Sequence, residues 1–276
     1  MNCVIKMSLT DFMKNKRLYE KFQKIFKMPQ IKKEKYILVK PKTKNYMLIG
    51  TAFDYLLRFY IARHNNKIIN RDWVCEEVKG LARFEDDLRE TSEEIVNRAK
   101  DNYEMYLDEG VLSNNLLSSV ILIAKLDGIL RSGGVLPNSL DIEPRDIEDL
   151  NNLYSVIPKN YFMKNEFCVL NPTFGTASLM VGGADADLII GDTLIDIKTT
   201  INFKFTKEYF LQLIGYFILN ELGGIDNFEN NVDIKKLGIY YSRYGYLFTF
   251  NVSDVVGERD LKEFKKLFID VAQGFD

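Results

Sequence analysis

The sequence predicts a mixed α/β protein with the character of an α+β fold. Two patterns indicate this class: helical periodicity dominates the first 160 residues, and strand-like alternation begins near residue 166. Hydrophobic residues make up 46% and charged residues 28% of the 276 positions, which excludes disordered and fibrous proteins. We expect one domain, residues 1–276, with a helical insertion at about residues 67–160.

Apolar runs and cysteines restrict the compartment and the chemistry. No apolar run approaches the ~20 residues that a membrane helix needs, and the first residues lack a signal peptide's apolar core. We therefore expect a cytoplasmic protein without a membrane partner. Three widely spaced cysteines favour free thiols and exclude a four-cysteine metal site. With only one histidine, His64, any metal would be bound mostly by oxygen.

The net charge of −2 conceals an uneven distribution. Residues 1–50 carry 13 Lys and Arg against 3 acidic residues, whereas the other 226 residues carry 24 basic and 36 acidic ones. A basic N-terminal segment on an otherwise acidic protein suits a polyanion that is held at one end and cut elsewhere. A solvated lysine-rich surface explains the same pattern, and charge alone leaves both interpretations open.

The N-terminal part of the chain is predicted to be helical. Apolar spacing predicts an amphipathic helix over residues 8–28, with Ser8 as its N-cap and Pro29 beyond its end. The lysine-rich stretch that follows carries a candidate strand at residues 36–39.

A second helix is predicted over residues 46–64, and it is apolar over most of its surface. Asp54 lies on this helix, where a carboxylate needs a partner. Arg58, four residues further on, would be a sufficient one. In the insertion, several helices are predicted, with a break at Gly110 and a new start at Glu143.

Strand signals occupy most of the remaining chain. Strands are predicted at residues 166–170, 237–242 and 246–251, and a last amphipathic helix at residues 253–275. Arg243, in the turn between two of these strands, is expected to be an exposed loop arginine that could contact phosphate.

A helix is predicted over residues 207–222, with Thr206 as its cap and Gly223 at its end. Gln212 and Tyr216 stand one turn apart on it and share a face. Their ordinary roles would be a satisfied buried amide and a core aromatic ring.

The central stretch, residues 182–200, is predicted to be a hairpin, because apolar and polar residues alternate on both sides of a tight turn at residues 191–192. Asp196 and Lys198 share one face of the second strand. Strand pairing would bring Asp187 opposite Asp196. Two carboxylates at one point repel each other unless a divalent cation lies between them. The hairpin therefore predicts a magnesium site with a lysine beside it.

The set Asp187 followed by Asp196-Ile197-Lys198 resembles the PD-(D/E)xK nuclease superfamily, with Ala186 in place of the proline. Two further motifs resemble its RecB-like exonuclease branch. Residues 212–216 match the QxxxY motif, and residues 50–54 match the GxxxH motif with aspartate in place of histidine.

This resemblance implies a restriction-endonuclease-like core, a mixed central sheet flanked by helices, and Mg2+- or Mn2+-dependent hydrolysis of phosphodiester bonds in DNA. Metal ligands would be Asp187, Asp196, the Ile197 carbonyl and Asp54. Lys198 would orient the attacking water or stabilise the transition state, and the helix residues Gln212 and Tyr216 would position the DNA strand.

The resemblance also implies substrates such as linear or single-stranded DNA ends, in repair, recombination or defence. Any unwinding would come from a protein partner such as a helicase. The sequence does not determine whether the substrate is DNA or RNA, or whether cleavage is exonucleolytic or endonucleolytic. It does not determine the oligomeric state either.

Two alternative functions are also compatible with the sequence. The first is a non-catalytic nucleic-acid-binding or assembly protein on the same fold. The second is a nucleotide-sugar transferase that uses residues 185–187 as a DxD metal motif. Glu166 and Asp185 are further acidic candidates without an assigned role.

Overall fold

The computed structural model describes residues 8–76, 86–132, 140–163, 167–226, 228 and 232–274. The helices are α1 (Leu9–Met13), α2 (Lys16–Ile25), α3 (Tyr46–His64), α4 (Asp86–Glu109), α5 (Asn114–Ser132), α6 (Pro144–Ser155), α7 (Lys159–Phe162), α8 (Gly175–Met180), α9 (Lys207–Gly223), α10 (Val252–Val255) and α11 (Glu258–Ala272). The strands are β1 (Ile68–Asn70), β2 (Cys168–Leu170), β3 (Leu188–Ile190), β4 (Thr193–Lys198), β5 (Lys236–Tyr241) and β6 (Tyr246–Asn251).

The six strands form one mixed sheet in the order β1-β2-β3-β4-β5-β6. The β1–β2 and β4–β5 pairs are parallel, and the other three pairs are antiparallel. Helix α9 makes the crossover between the parallel strands β4 and β5. Consequently β1, β2, β4 and β5 all end at the same edge of the sheet, where β3 begins. We call this the carboxyl edge.

Helices cover both faces of the sheet. On one face, Leu188, Ile190 and Ile195 share a hydrophobic core with residues of α3, α4, α5 and α6. On the other face, Ile189 and Leu194 share a second core with residues of α1, α2, α8, α9 and α11. Neighbouring strand residues point to opposite faces, so the central strands are buried on both sides. The expected mixed sheet flanked by helices is confirmed.

Several predicted elements are confirmed with close boundaries. Helix α3 covers the predicted residues, and α9 is capped by Thr206, whose side chain accepts a hydrogen bond from the Tyr209 N–H. The hairpin turn lies at residues 191–192, where Gly191 has a left-handed φ of 56°. Caps and glycine turns act within a few residues, which explains why the sequence alone located these boundaries.

Both terminal helices are divided, contrary to the prediction. Ser8 caps the first helix as predicted, but Asn15 then accepts the N–H groups of Arg17 and Leu18 and starts a second helix. At the other end, Gly257 separates α10 from α11. Each interruption lies at a residue type that favours caps over helix interiors.

The insertion is not wholly helical, which corrects the prediction for residues 67–160. It opens with β1, which pairs in parallel with β2 and therefore belongs to the central sheet. The predicted break at Gly110 and the start at Glu143 are confirmed. Between β2 and β3 the chain forms α8. Glu166 lies outside the described residues.

The prediction of an exposed Arg243 is wrong. Its guanidinium is buried and donates to both carboxylate oxygens of Asp149, at 2.8 and 2.9 Å. The backbone carbonyl of Arg243 accepts the N–H groups of Leu38 and Val39. This contact replaces the strand expected at residues 36–39. One buried ion pair therefore joins α6, the segment before α3 and the β5–β6 turn.

Two further properties of the described residues concern helix length and the cysteines. Within the described ranges, every helix is too short or too polar to traverse a lipid bilayer. Cys75 and Cys168 are buried and carry free thiols. Cys3 lies outside the described residues.

Asp149→Ala should destabilise the protein by about 3–5 kcal/mol, because the Arg243 guanidinium would stay buried without its counter-ion. The neighbouring Glu148 pairs with Lys42 at 2.6 Å on the surface, so Glu148→Ala is a matched control that should cost about 1 kcal/mol or less. Urea denaturation measures both losses. Equal losses would contradict a special role for the buried pair.

Candidate functional site

The β3–β4 hairpin brings the predicted acidic residues together at the carboxyl edge. Leu188 pairs with Ile195, so the register continued by one residue sets Asp187 opposite Asp196. The Asp187 carboxylate accepts a hydrogen bond from the backbone N–H of Ile197. Strand pairing and this hydrogen bond together fix the Asp187 carboxylate beside β4.

The two carboxylates lie in a poorly hydrated environment. Asp196 is only 2% exposed, and Asp187 is partly exposed. Burial raises the pKa of Asp187 well above its ordinary value, and the negative charges of Asp196 and Asp54 raise this pKa further. Burial also raises the pKa of Asp196, although Lys198 acts in the opposite direction. The protein itself therefore compensates the charge of this pair only in part.

Lys198 supplies that partial compensation. Its ammonium lies 2.8 Å from Asp196 Oδ2 and 5.0 Å from the centre of the Tyr209 ring. Burial alone would lower the pKa of Lys198, but the charges of Asp196 and Asp187 outweigh burial and the pKa is raised. The lysine is therefore a fixed cation that can stabilise negative charge on a bound ligand.

A chain of hydrogen bonds links the lysine to α9. Lys198 Nζ donates to Gln212 Oε1 at 3.0 Å, and Gln212 Nε2 donates to Tyr216 Oη at 3.0 Å. Burial and the nearby charges of Asp196 and Asp187 raise the pKa of Tyr216, so it stays a neutral phenol. Because the phenol oxygen accepts from Gln212, its O–H can donate to a further acceptor.

Asp54 reaches the same region from α3. Its carboxylate forms an ion pair with Arg58, the partner that the sequence offered. The Arg58 guanidinium is buried and lies 4.4 Å from the centre of the Tyr55 ring. Since Asp54 also raises the pKa of Asp187, its charge acts on the acidic pair. The observed partner of Asp54 is thus Arg58, and its role as a metal ligand stays a prediction.

The side-chain donors at this point are carboxylate oxygens, which hard cations such as Mg2+ prefer. Among the described residues, no group of three or more His, Cys, Asp or Glu side chains is arranged to hold a metal ion. Mg2+ commonly uses one or two protein carboxylates and keeps several waters, so Asp187 and Asp196 are the residues that could hold it, and this role stays a prediction. The role of the Ile197 carbonyl as a ligand stays a prediction.

Three further residues adjoin the site. Tyr209 places its ring beside the Lys198 ammonium, and its helical spacing from Gln212 and Tyr216 could have identified it. Ser242 Oγ donates to Thr199 Oγ1 at 2.9 Å and so joins the ends of β4 and β5. No local pattern marks this serine, because its partner lies on another strand.

Asp185 is separate from the carboxylate pair. Its side chain lies 3.9 Å from Arg71 Nη1, and its backbone forms an isolated bridge with Thr173. The sheet thus directs Asp185 toward the loop after β1, while Asp187 faces β4. These two residues of the possible DxD motif have different partners.

Comparisons of the chain with protein-family models, with curated proteins and with solved structures return no match. The chemistry of the site is therefore the basis for any functional assignment. That chemistry consists of two repelling carboxylates, a fixed ammonium, and an amide–phenol pair at one edge of a sheet.

Asp187→Asn should stabilise the metal-free protein by about 1–2 kcal/mol at neutral pH, because it removes one of two repelling charges. In the wild type the folded state binds the Asp187 proton more tightly than the unfolded state. The free energy of unfolding should therefore fall as the pH rises from the ordinary value of 3.8 through the raised pKa. The variant should lack part of this fall.

Urea denaturation in EDTA at several pH values measures this effect. Asp192→Asn, in the turn at the other end of the hairpin, is the control and should change little. A variant at Asp187 that is less stable than the wild type at neutral pH, with the same pH dependence, would contradict the assigned repulsion.

Proposed function

We propose that the protein is a Mg2+- or Mn2+-dependent nuclease that hydrolyses phosphodiester bonds in DNA. The observation that carries this proposal is that Asp187, Asp196 and Lys198 lie together at the carboxyl edge. Lys198 is hydrogen-bonded to Gln212, which is in turn hydrogen-bonded to Tyr216. The resemblance to PD-(D/E)xK nucleases implies this grouping. The mixed sheet between two helical layers supports a restriction-endonuclease-like core.

Asp187 and Asp196 would hold the divalent cation, with Asp54 and the Ile197 carbonyl as additional oxygen donors. When bound, Mg2+ or Mn2+ would lower the pKa of a coordinated water and neutralise charge on the scissile phosphate. The repulsion between the two carboxylates favours this occupancy, because their charges are then balanced.

The chain's own residues have distinct tasks in the hydrolysis. A water oxygen forms a bond to phosphorus as the bond to the leaving oxygen breaks; the water loses a proton and the leaving oxygen gains one. Lys198 would stabilise the negative charge that accumulates on the phosphoryl oxygens. Tyr216 would donate its O–H to a phosphate oxygen, and Gln212 keeps the phenol and the ammonium in a fixed relation.

Neither alternative gains support from a specific contact. A transferase would need Asp185 and Asp187 to share a cation, but Asp185 lies beside Arg71. A non-catalytic binding protein has no need of a buried ammonium next to two carboxylates. A non-catalytic binding protein becomes the better interpretation if the wild type binds DNA but cleaves neither linear DNA, closed circular DNA nor RNA.

Lys198→Ala should slow metal-dependent cleavage of linear DNA by about 100-fold or more, the effect of removing one group that stabilises the transition state. Lys236→Ala is the matched control, because Lys236 is an exposed lysine at the opposite end of the neighbouring strand. End-labelled single- and double-stranded DNA, closed circles and RNA, each with Mg2+, Mn2+ or EDTA, are the substrates.

Degradation of linear DNA that spares closed circles would indicate an exonuclease. Cleavage by Lys198→Ala at the wild-type rate would exclude the role proposed for the lysine.

Asp54→Asn distinguishes a contribution to the cation site from a purely structural pair with Arg58. If Asp54 supports cation binding, the Mg2+ concentration at half of the maximal thermal stabilisation should rise about 10- to 100-fold. A thermal-shift titration measures this midpoint. A loss of thermal stability with an unchanged midpoint would assign Asp54 to the Arg58 pair alone.

A further inference from the structure

The irregular segment between α2 and α3, residues 27–44, presents positive charge and apolar side chains together. It carries seven lysines and one glutamate, and all seven lysines are exposed. Lys42 pairs with Glu148, and the other six form no ion pair with any residue that the structure describes. Tyr36 is 93% exposed and Leu38 is 60% exposed. Neither side chain has a role in the core.

The segment is nevertheless held in place. Ile31 and Ile37 pack against the core, and Val39 is buried in it. The backbone N–H groups of Leu38 and Val39 donate to the carbonyl of the buried Arg243. A ligand would therefore meet a largely fixed surface, and its binding would lose less free energy to ordering the segment.

Arg243, whose carbonyl holds this segment in place, lies next to the candidate site. Arg243 follows Ser242, whose hydroxyl donates to Thr199, and Thr199 follows Lys198 in the chain. The segment therefore meets the sheet at the carboxyl edge, where Asp187 lies opposite β4.

Helix α3 continues from the segment to the acidic residues. Met47, Gly50 and Asp54 have the spacing of one helix face. Met47 is 89% exposed, and a Cβ at Gly50 would meet no other atom within 4 Å. This face of α3 is thus uncovered at Met47 and has free space at Gly50, and it leads to the partly exposed Asp54.

An aromatic groove lies at the other end of the segment. It has a volume of about 460 Å3 and is lined by residues 28–31 and by residues 203–205 of the loop after β4. Phe203 and Phe205 are partly exposed, and Lys204 is exposed between them. Both rings also pack against core aromatic side chains such as Tyr241 and Phe250, so the part of each ring left exposed beside the lysine is what could contact a base and its phosphate.

We infer that residues 27–44 and this groove form a binding track for single-stranded DNA, which leads along the same face of α3 to Asp187 and Asp196. Lysines would neutralise phosphates, and exposed rings would stack on bases. Bases in a duplex cannot stack on Tyr36 without unpairing, so the track favours a single strand. The direction of the track toward a cutting site rests on the proposed function, but binding to the track does not.

The test measures binding of labelled oligothymidylate to the full chain in EDTA, where metal-dependent cleavage is absent. Lys40→Gln/Lys44→Gln removes two charges from the track. The control Lys67→Gln/Lys235→Gln removes two exposed lysines next to the first residues of β1 and β5, at the opposite edge of the sheet. In the track variant the negative slope of log affinity against log salt should become shallower by about 1.4, since each single-strand phosphate contact contributes about −0.7. The control should match the wild type.

Tyr36→Ala tests stacking without changing charge. It should weaken binding roughly 5- to 100-fold, the range typical of one lost base stack. Leu179→Ala is the matched control, because Leu179 is also highly exposed, at 76%, and lies on α8 outside the track.

Binding that is unchanged in both track variants would overturn the inference, and so would tighter binding of duplex DNA or of RNA with the same sequence. The proposed function fails in a different way. If the wild type binds through the track but cuts nothing with Mg2+ or Mn2+, the track stands and the nuclease does not. If cleavage persists and the track variants bind like the wild type, only the track is refuted.

Discussion

The repulsion between Asp187 and Asp196 governs the arrangement of the carboxyl edge. The hairpin register sets these carboxylates opposite each other, and burial raises the pKa of both. The neighbouring groups partly compensate this negative charge. The Ile197 N–H donates to one carboxylate, the Lys198 ammonium pairs with the other, and Gln212 holds the ammonium. The fold tolerates the remaining repulsion because apolar layers on both sides of the sheet stabilise it.

Local geometry accounts for the part of the site that the sequence could predict. A period of two along β4 places Asp196 and Lys198 on one face, and a tight turn sets the register that brings Asp187 opposite. Helical spacing places Gln212 and Tyr216 together on α9. The contact between these two elements, from Lys198 to Gln212, is tertiary. No local signal contains it, and the resemblance to a nuclease family implied only that Gln212 and Tyr216 position the DNA strand.

The predictions that proved wrong concern residues whose partners are distant in the chain. An arginine in a turn between strands gives the same local pattern whether it faces water or a carboxylate, and Asp149 lies 94 residues away from Arg243. Residues 36–39 have the apolar, β-branched composition of a strand. The N–H groups of Leu38 and Val39 instead donate to a single carbonyl of a turn, that of Arg243. The break at Asn15 is different, because its capping signal was local and the apolar periodicity concealed it.

The pair between Arg243 and Asp149 also couples two parts of the chain that are distant in sequence. Neither charge leaves water favourably before the other arrives, so the guanidinium and the carboxylate are buried together when the insertion and the β5–β6 hairpin meet. Contacts of such long sequence separation slow folding, because the intervening chain must be ordered first. Because the buried Arg243 depends on Asp149 of α6, the two also depend on each other in evolution. A lineage that lost α6 would retain an uncompensated guanidinium in its interior until Arg243 was also replaced.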